Sequence, residues 1–273
     1  MLQTHFIGNG AIDTAYYDIG AGDAFVLLHG FTGSKLDFHD QLPWFADRCR
    51  VLAPDNRGHG ESTHLGVPDD YRLDVLAADL ASFLDALDLP RCHLLGHSMG
   101  GMVALRFALA HPERLQSLIL MDTAAEPLDF FPAALREKIF ANVRANGCQA
   151  LLDGMRGREH SAAERRGIDY LGETEHWRRI ELKLAQMDPQ AWVGLVRDMQ
   201  DQPSLLAALD SIRIPTTVLV GEFDLPFVEP SANMARMLRN ARLVPIPLAA
   251  HCPQYEHADA WQHAIDTHLE RCR

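Results

Sequence analysis

Short, continuously apolar runs alternate with longer amphipathic segments along most of the chain. A continuous apolar run is typical of a strand that is covered on both faces of a sheet. Residues 24–28 form such a run, residues 50–54 read as a similar strand, and further strands are predicted at 92–95, 117–121 and 216–220. Three more segments complete a predicted set of eight strands. Residues 4–7 and 11–19 flank the turn-forming triplet at 8–10, and a last apolar run lies at 242–246.

Several segments between these runs have the spacing of amphipathic helices. Residues 71–88 alternate Leu, Val and Ala with charged residues at helical spacing, and residues 102–110 and 258–270 also read as helices. Strands that alternate with helices predict an α/β fold, with a mainly parallel eight-stranded sheet and helices on both of its faces. Functional groups in such a sheet gather beyond the carboxyl ends of its strands.

Residues 123–215 interrupt this alternation, because they contain no convincing buried strand. Helical segments are predicted near residues 132–145, 147–156, 161–170, 174–186 and 189–200. A stretch of this length is too long for a structureless loop. We therefore predict a helical cap inserted between the sixth and seventh strands of a core formed by residues 1–122 and 216–273.

A cap above the strand ends would line a substrate pocket. Phe130, Trp177 and Trp192 are its aromatic candidates for pocket residues, and His29 and His97 are the candidates from the core. The alternative for each aromatic residue is that it fills the small core of the cap itself.

Composition and charge narrow the class of protein. The chain has 273 residues, of which 47% are hydrophobic and 23% charged, as in ordinary globular domains. Its formal net charge of −12 disfavours nucleic acid and anionic membrane surfaces, both of which attract basic patches. We expect a small-molecule substrate, and the oligomeric state stays open.

The cysteines and the first residues of the chain indicate the cellular compartment in which the protein is expected. Five widely spaced cysteines without a C-x-x-C pattern predict neither a disulfide framework nor a metal site. The first residues show no basic region followed by an apolar stretch, and no apolar run approaches the roughly 20 residues that cross a bilayer. A cytoplasmic protein without a membrane segment is expected.

A candidate nucleophile lies in the pattern G-x-S-x-G. Ser98 is flanked by Gly96 and Gly100, with an apolar run before it and helix-forming residues after it. A serine on a tight strand-to-helix turn projects from the sheet, where its hydroxyl can attack a carbonyl. The glycines permit that turn, and Gly101 allows close packing of helix and strand.

A serine hydroxyl needs a base to take its proton and a carboxylate to orient that base. His251 follows the last predicted strand, whereas its rivals His97 and His257 lie beside the nucleophile and farther along the chain. Asp224 ends the strand before it, which gives the order Ser, Asp, His of a nucleophile-elbow hydrolase. Asp122 is the alternative acid, because it also follows a strand.

The negative charge that develops on an attacked carbonyl oxygen requires preorganised donors, usually two backbone N–H groups. Met99 begins the helix after the nucleophile, and Phe31 follows the strand at 24–28, so we predict that their N–H groups form an oxyanion hole. The alternative for residues 29–30 is a simple turn. We predict that Arg57 and His59 brace the loop at 55–62 by hydrogen bonds.

These residues together resemble the α/β-hydrolase superfamily along nearly the full chain. The resemblance rests on four ordered segments: His29-Gly30-Phe31, residues 55–62, residues 96–101, and Asp224 with His251. Similar families include carboxylesterases, enol-lactonases, carbon–carbon bond hydrolases, cofactor-free haloperoxidase-like enzymes and the menaquinone-pathway synthase. Haloalkane dehalogenases and epoxide hydrolases use an aspartate nucleophile, so Ser98 argues against both.

The resemblance implies a cofactor-independent serine hydrolase that cleaves a small carboxylic ester or lactone through an acyl-enzyme. One alternative is a carbon–carbon bond hydrolase or a lyase of the menaquinone-pathway type with the same triad. A basic residue facing the pocket would favour it, and the candidates are Arg106, Arg156, Arg158, Arg178 and Arg179. Another alternative is a small-molecule sensor with little turnover.

Overall fold

The computed structural model describes residues 2–8, 10–129 and 132–272. All eight predicted strands form within one sheet, which confirms the expected fold class. The strands are β1 (Thr4–Gly8), β2 (Asp13–Ile19), β3 (Ala24–Leu28), β4 (Arg50–Pro54), β5 (Cys92–His97), β6 (Leu115–Met121), β7 (Thr216–Gly221) and β8 (Ala241–Ile246).

Helices fill the connections between these strands. The α-helices are α1 (Leu42–Phe45), α2 (Leu73–Ala86), α3 (Met99–Ala110), α4 (Ala133–Asn146), α5 (Leu152–Gly157), α6 (Ala162–Leu171), α7 (Glu173–Ala185), α8 (Pro189–Asp201), α9 (Leu225–Met237), α10 (Pro253–Glu256) and α11 (Ala258–Arg271). Short 3₁₀ helices occur at Lys35–Phe38, Pro68–Asp70, Pro112–Arg114, Cys148–Leu151 and Leu206–Ser211.

The order of strands places the ends of β5 to β8 side by side. The order is β1-β2-β4-β3-β5-β6-β7-β8, in which β2 pairs antiparallel with β1 and β4 and the remaining pairs are parallel. The loops that follow β3, β5, β6, β7 and β8 therefore leave the sheet at the same edge. Every candidate catalytic residue follows one of these strands.

Apolar side chains cover both faces of the sheet, as the continuous hydrophobic runs predict. One face carries α2, α3 and α9, with Phe83, Phe107 and Met234 buried between helix and sheet. The other carries α1 and α11, where Phe45 and Trp261 meet edge to face with ring centres 5.8 Å apart. The helix α9 is not predicted by the hydrophobic pattern, because Pro226 and Pro230 are usually signs of a helix end.

Helices α4 to α8 lie between β6 and β7 and enclose a small core of their own. Phe140 of α4 and Trp192 of α8 pack edge to face in this core, with ring centres 6.0 Å apart. The helical content predicted for residues 123–215 is thus present, whereas its separation as a cap domain stays a prediction. Within the part of the chain that the structure describes, no helix has the length and apolarity that crossing a bilayer demands.

Four buried histidines make the free energy of unfolding depend on pH. Burial lowers the pKa of His29 to about 4, and it lowers the pKa of His59, His97 and His268 to about 3. His268 lies between Thr217 and Ser117, with ring nitrogens 2.7 Å from each hydroxyl oxygen. These histidines are neutral in the folded protein but bind protons below about pH 6.5 once the chain is unfolded.

The contribution of these histidines to the free energy of unfolding should therefore be fully present above pH 6.5 and should be lost as the pH drops towards their folded-state pKa values. Each histidine removes about 1.4 kcal/mol per pH unit across that window. Urea unfolding at pH values from 7.5 to 5 would measure the slope. His268→Gln should reduce it by about one proton, and the exposed control His64→Gln should leave it unchanged. An equal slope in wild type and His268→Gln would contradict the prediction.

Candidate active site

Ser98 lies on a strained turn between β5 and α3. Its backbone has φ 53° and ψ −118°, which a residue with a Cβ adopts only when its surroundings enforce it. The Ser98 N–H donates to the carbonyl of Met121 at 2.8 Å, and the hydroxyl of Thr123 donates to the carbonyl of Ser98 at 2.6 Å. The end of β6 therefore holds the turn, a contribution that no sequence motif signals.

Close backbone contacts explain the glycines around Ser98. A Cβ on Gly100 would lie 2.5 Å from the carbonyl oxygen of Leu28 at the end of β3. A Cβ on Gly96 would lie 2.3 Å from the carbonyl oxygen of Gly100. Both distances are far below van der Waals contact, so the turn requires glycine at both positions.

His251 connects Ser98 to a buried carboxylate. The Ser98 hydroxyl donates to His251 Nε2 at 3.1 Å, and His251 Nδ1 donates to Asp224 Oδ2 at 2.8 Å. Because an ionised carboxylate only accepts hydrogen bonds, Asp224 fixes the tautomer that leaves Nε2 free to accept. The three side chains predicted from the order of the sequence thus form one hydrogen-bonded chain.

The imidazole of His251 is held between two rings. Phe227 of α9 stacks on it with ring centres 4.9 Å apart and planes inclined by 28°. On another side lies His97, whose Nε2 donates to the backbone carbonyl of His251 at 2.7 Å. The prediction of pocket residues includes His97 but misses Phe227, since its contact with His251 depends on α9.

Asp122 is placed behind the acid and not against the histidine. Its side chain is fully buried, and its Oδ1 accepts the Gly221 N–H at 2.8 Å. Burial, together with the nearby charge of Asp224, holds the pKa of Asp122 well above its usual range. The structure therefore brings Asp224, and not the alternative acid Asp122, into contact with His251.

The rival base His257 and Glu222, a further carboxylate that follows β7, are also placed away from Ser98. His257 is 2.7 Å from the carbonyl oxygen of Pro247 through its Nδ1, and Glu222 is exposed and accepts the Leu248 N–H at 3.2 Å. Neither forms a hydrogen bond to Ser98 or His251 among the contacts of the described residues.

The two residues predicted to donate to an oxyanion lie on either side of Ser98. Met99 is the first residue of α3, so its N–H has no acceptor within the helix. Phe31 lines the cavity above Ser98, and neighbouring Gly30 packs so closely that an added Cβ would lie 3.1 Å from Ser98 Cβ. This placement is compatible with an oxyanion hole, whose assignment to Phe31 and Met99 stays a prediction.

Two predicted pocket residues do not line the cavity. His29 is fully buried, with Nδ1 donating to the Gly30 carbonyl and Nε2 accepting the Asn56 N–H at 2.9 Å, so it joins two loops beneath the site. Trp192 is buried in the core around α4 and α8. These two predictions are wrong, because both side chains are used in packing. Phe130 falls outside the described residues.

The loop at 55–62 is structural, as predicted. Arg57 forms an ion pair with Asp79 of α2, and its guanidinium also donates to the carbonyl of Asp70 at 3.2 Å. His59 Nδ1 lies 3.0 Å from the carbonyl oxygen of Arg57. The expected bracing by Arg57 and His59 is confirmed.

A cavity of about 390 Å³ opens above Ser98 and His251. Its floor is the core, with Gly30, Phe31 and His97, and its walls come from α5, α6 and α7. The walls are largely apolar, with Met155, Ile168, Leu171, Trp177, Ile180 and Leu184. Trp177 is the one predicted aromatic residue of the described part that lines this cavity.

The positive charges on the cavity wall are neutralised by carboxylates. Lys183 Nζ is 2.6 Å from Asp37 Oδ1, and Arg158 pairs with Glu164. Arg179 pairs with Asp40 at 2.5 Å and also with Glu175. Among the described residues, no cation on the wall of this cavity lacks a carboxylate partner.

Other candidate cations are placed elsewhere. Arg106 of α3 forms an ion pair with Asp74 and a hydrogen bond with Gln202. Arg106, Arg156 and Arg178 do not line the main cavity. Residues 2–8, 10–129 and 132–272 contain no cluster of three His, Cys, Asp or Glu side chains that could hold a metal ion.

Comparisons with known proteins identify the family and the fold of this chain. A family model described as "alpha/beta hydrolase fold" matches residues 23–258. A putative 2-succinyl-6-hydroxy-2,4-cyclohexadiene-1-carboxylate synthase from Bacillus subtilis is 28% identical over 248 residues, which cover 86% of each chain. Further curated relatives, among them epoxide hydrolases and carbamate hydrolases, match 36–42% of this chain and 20–39% of their own length.

Solved structures match over the whole chain. A thermophilic esterase from Thermogutta terrifontis is 30% identical, with a TM-score of 0.84 and 99% of both chains covered. The enol-lactonase from Burkholderia xenovorans shares the fold at 23% identity, with a TM-score of 0.83 and coverage of 97% of this chain and 100% of that one.

Proposed function

The chain belongs to the α/β-hydrolase family, and on that premise we propose that it is a cofactor-independent serine hydrolase that cleaves a small carboxylic ester or lactone. The observation that carries the proposal is the continuous chain of hydrogen bonds from Asp224 through His251 to Ser98, at the floor of a cavity of about 390 Å³.

In the first half of the reaction, Ser98 Oγ attacks the carbonyl carbon of the substrate while His251 Nε2 accepts its proton. Asp224 stabilises the imidazolium that results and keeps its ring oriented. His251 then returns the proton to the alcohol oxygen as the ester bond breaks, which leaves an acyl group on Ser98.

In the second half, a water molecule attacks the acyl-enzyme with His251 as the base. The Phe31 and Met99 N–H groups hold the oxyanion in both halves, where preorganised donors stabilise developing charge without reorganisation. Collapse of the second tetrahedral intermediate releases the acid, and the proton returns from His251 to Ser98. For a lactone, acid and alcohol leave as one molecule.

The charges of the cavity support a neutral substrate. Lys183, Arg158 and Arg179 each have a carboxylate partner, so an anionic substrate would have to compete with that partner for the cation. The remaining wall is largely apolar and gains free energy from burial of alkyl groups, about 0.8 kcal/mol for each methylene. An uncharged ester with a short alkyl or aryl portion fits this environment.

The proposal is tested by initial rates on p-nitrophenyl acetate, butyrate and octanoate, with a γ-lactone measured in parallel. We expect turnover of at least the acetate and butyrate esters. Absence of turnover of all four compounds by folded protein would overturn the assignment. Thermal stabilisation by a ligand that is not converted would then favour a small-molecule sensor.

The second candidate is a carbon–carbon bond hydrolase or a lyase that uses the same three residues mainly for proton transfer. Its support is the similarity to the putative synthase of Bacillus subtilis over 86% of the chain. It predicts turnover of an anionic ketone or dienoate and negligible turnover of simple esters. The same set of rates, extended by one such compound, distinguishes the two candidates.

Trp177 should limit the length of the acyl chain. Its side chain lines both the main cavity and a neighbouring space of about 400 Å³ that Arg165 and Glu173 also line. Trp177→Ala joins the two spaces, so the ratio of kcat/KM for octanoate to that for acetate should rise by about tenfold or more, as extra methylenes become buried.

The matched control for this prediction is Trp44→Ala. Trp44 is also a tryptophan on the surface of a helix, and it is 50% exposed and hydrogen-bonds to Asp266 of α11, away from the cavity. This variant should keep the wild-type ratio of octanoate to acetate. An unchanged ratio in Trp177→Ala would show that Trp177 does not bound the acyl site.

A further inference from the structure

We propose that Glu256 is a positioning residue that holds the turn carrying His251 in its reactive place. The inference rests on the proposed function, since it assigns a purpose to Glu256 only if His251 is the base. Glu256 ends the short helix α10, five residues after His251, and nothing in the G-x-S-x-G or strand-end pattern points to it.

The side chain of Glu256 binds both neighbours of His251. Its Oε2 accepts the backbone N–H of Ala250 at 2.5 Å and that of Cys252 at 3.3 Å. Glu256 is only 4% exposed, so water does not compete effectively for these donors. One carboxylate oxygen thereby fixes the chain immediately before and immediately after the base.

The rest of the turn is anchored by other groups. His97 donates to the carbonyl of His251, and the Phe223 N–H donates to the carbonyl of Ala249 at 2.8 Å. The turn is otherwise irregular, since it follows β8 and Leu248 has a positive φ of 59°. Glu256 therefore supplies hydrogen bonds that regular secondary structure does not.

Helix α6 covers Glu256 from outside. Gly167 of α6 packs so closely that an added Cβ would lie 3.2 Å from Glu256 Cγ, and Arg166 Nε donates to the Glu256 carbonyl at 3.0 Å. Helix α6, which lies between β6 and β7 in the chain, therefore packs against Glu256, and Glu256 in turn positions His251.

Small shifts of this turn would have large effects on the reaction. The distance from His251 Nε2 to Ser98 Oγ is 3.1 Å, and a displacement of about 1 Å costs roughly 100-fold in the rate of a positioned step. Loss of the Glu256 carboxylate leaves two buried N–H groups without acceptors, which drives such a rearrangement.

The experiment measures two quantities in wild type, Glu256→Ala and Glu256→Gln. One is the second-order rate of Ser98 labelling by a fluorophosphonate probe, which depends on the Ser98–His251 pair and needs no knowledge of the substrate. The other is kcat and KM for p-nitrophenyl butyrate. Melting temperatures establish that each variant is folded. Glu222→Ala is the matched control, because it removes another carboxylate bonded to the same loop, at Leu248.

We expect Glu256→Ala to lower both the labelling rate and kcat by about 10- to 100-fold, with KM changed less than threefold. Glu256→Gln keeps an acceptor for both N–H groups and should restore these rates to within about threefold of wild type. Glu222→Ala should match the wild type within twofold.

Two results would overturn the proposal: wild-type labelling by folded Glu256→Ala, or equal loss in folded Glu256→Gln and Glu256→Ala. If Glu256→Ala does not fold, a folded Glu256→Gln that labels more than tenfold slower than wild type also overturns it. Failure of the wild type itself to react with the probe would instead contradict the proposed function.

Discussion

Ser98→Ala should lower kcat for p-nitrophenyl butyrate by about 10⁴-fold or more, while the protein remains folded. The variant loses the hydroxyl oxygen that is hydrogen-bonded to His251 Nε2 and therefore cannot form an acyl-enzyme. In enzymes of this type the nucleophile and its base act as a unit, so removal of one removes nearly the whole contribution of both. Initial rates measured side by side with the wild type would determine the loss.

The control for Ser98→Ala is Ser211→Ala, a serine on an exposed short helix whose hydroxyl donates to the carbonyl of Ala208. It should keep wild-type rates. Alanine at position 98 also relieves no backbone strain, because its Cβ meets the same positive φ, so both variants should melt near the wild-type temperature. A rate above about one hundredth of wild type in Ser98→Ala would exclude Ser98 as the nucleophile.

Asp224→Asn should lower kcat by about 10³- to 10⁴-fold. The amide can present its NH₂ group to His251 Nδ1, which favours the tautomer whose Nε2 carries a proton and cannot accept the one from Ser98. Binding of the substrate does not involve Asp224, so KM should change little. Steady-state kinetics on p-nitrophenyl butyrate would separate these two effects.

Asp122→Asn is the sharp comparison, since Asp122 also follows a strand and lies behind Asp224. Burial and the nearby charge of Asp224 raise the pKa of Asp122 well above its usual range, which favours the neutral form, and asparagine is uncharged and close to that form in shape. We expect Asp122→Asn to retain activity within about tenfold. If Asp122→Asn were the inactive variant and Asp224→Asn the active one, the acid would have to be reassigned to Asp122.

Much of the fold follows from the apolar runs alone. Strand Ala24–Leu28 is buried along its whole length and its sequence is apolar without interruption, and Thr216–Gly221 is also fully buried around an apolar centre, so both are easily recognised. The hydrophobic pattern does not predict helix α9. Pro226 lies in its first turn, where the missing N–H is not needed, and Pro230 follows, so the pattern resembles a loop.

Some residues of the candidate site can likewise be predicted from the sequence, and others cannot. Ser98, Asp224 and His251 could be selected because each follows a strand, and strand ends meet at one edge of a parallel sheet. Thr123 and Phe227 could not, because their contacts with Ser98 and His251 depend on side-chain directions in the folded protein. Trp177 and Trp192 look equivalent in sequence, and only the packing of α4 on α8 decides which one faces the cavity.

The strand order also determines when catalytic competence can arise. Ser98 and His251 are 153 residues apart in the chain, and β8, which precedes the histidine, joins the sheet through β7 and β6. A nascent polypeptide emerging from the ribosome therefore displays its serine long before any base exists to activate it. On the proposed mechanism, hydrolysis requires the C-terminal strands to be docked, so the appearance of enzymatic activity would report the completion of folding and not the formation of the nucleophile turn.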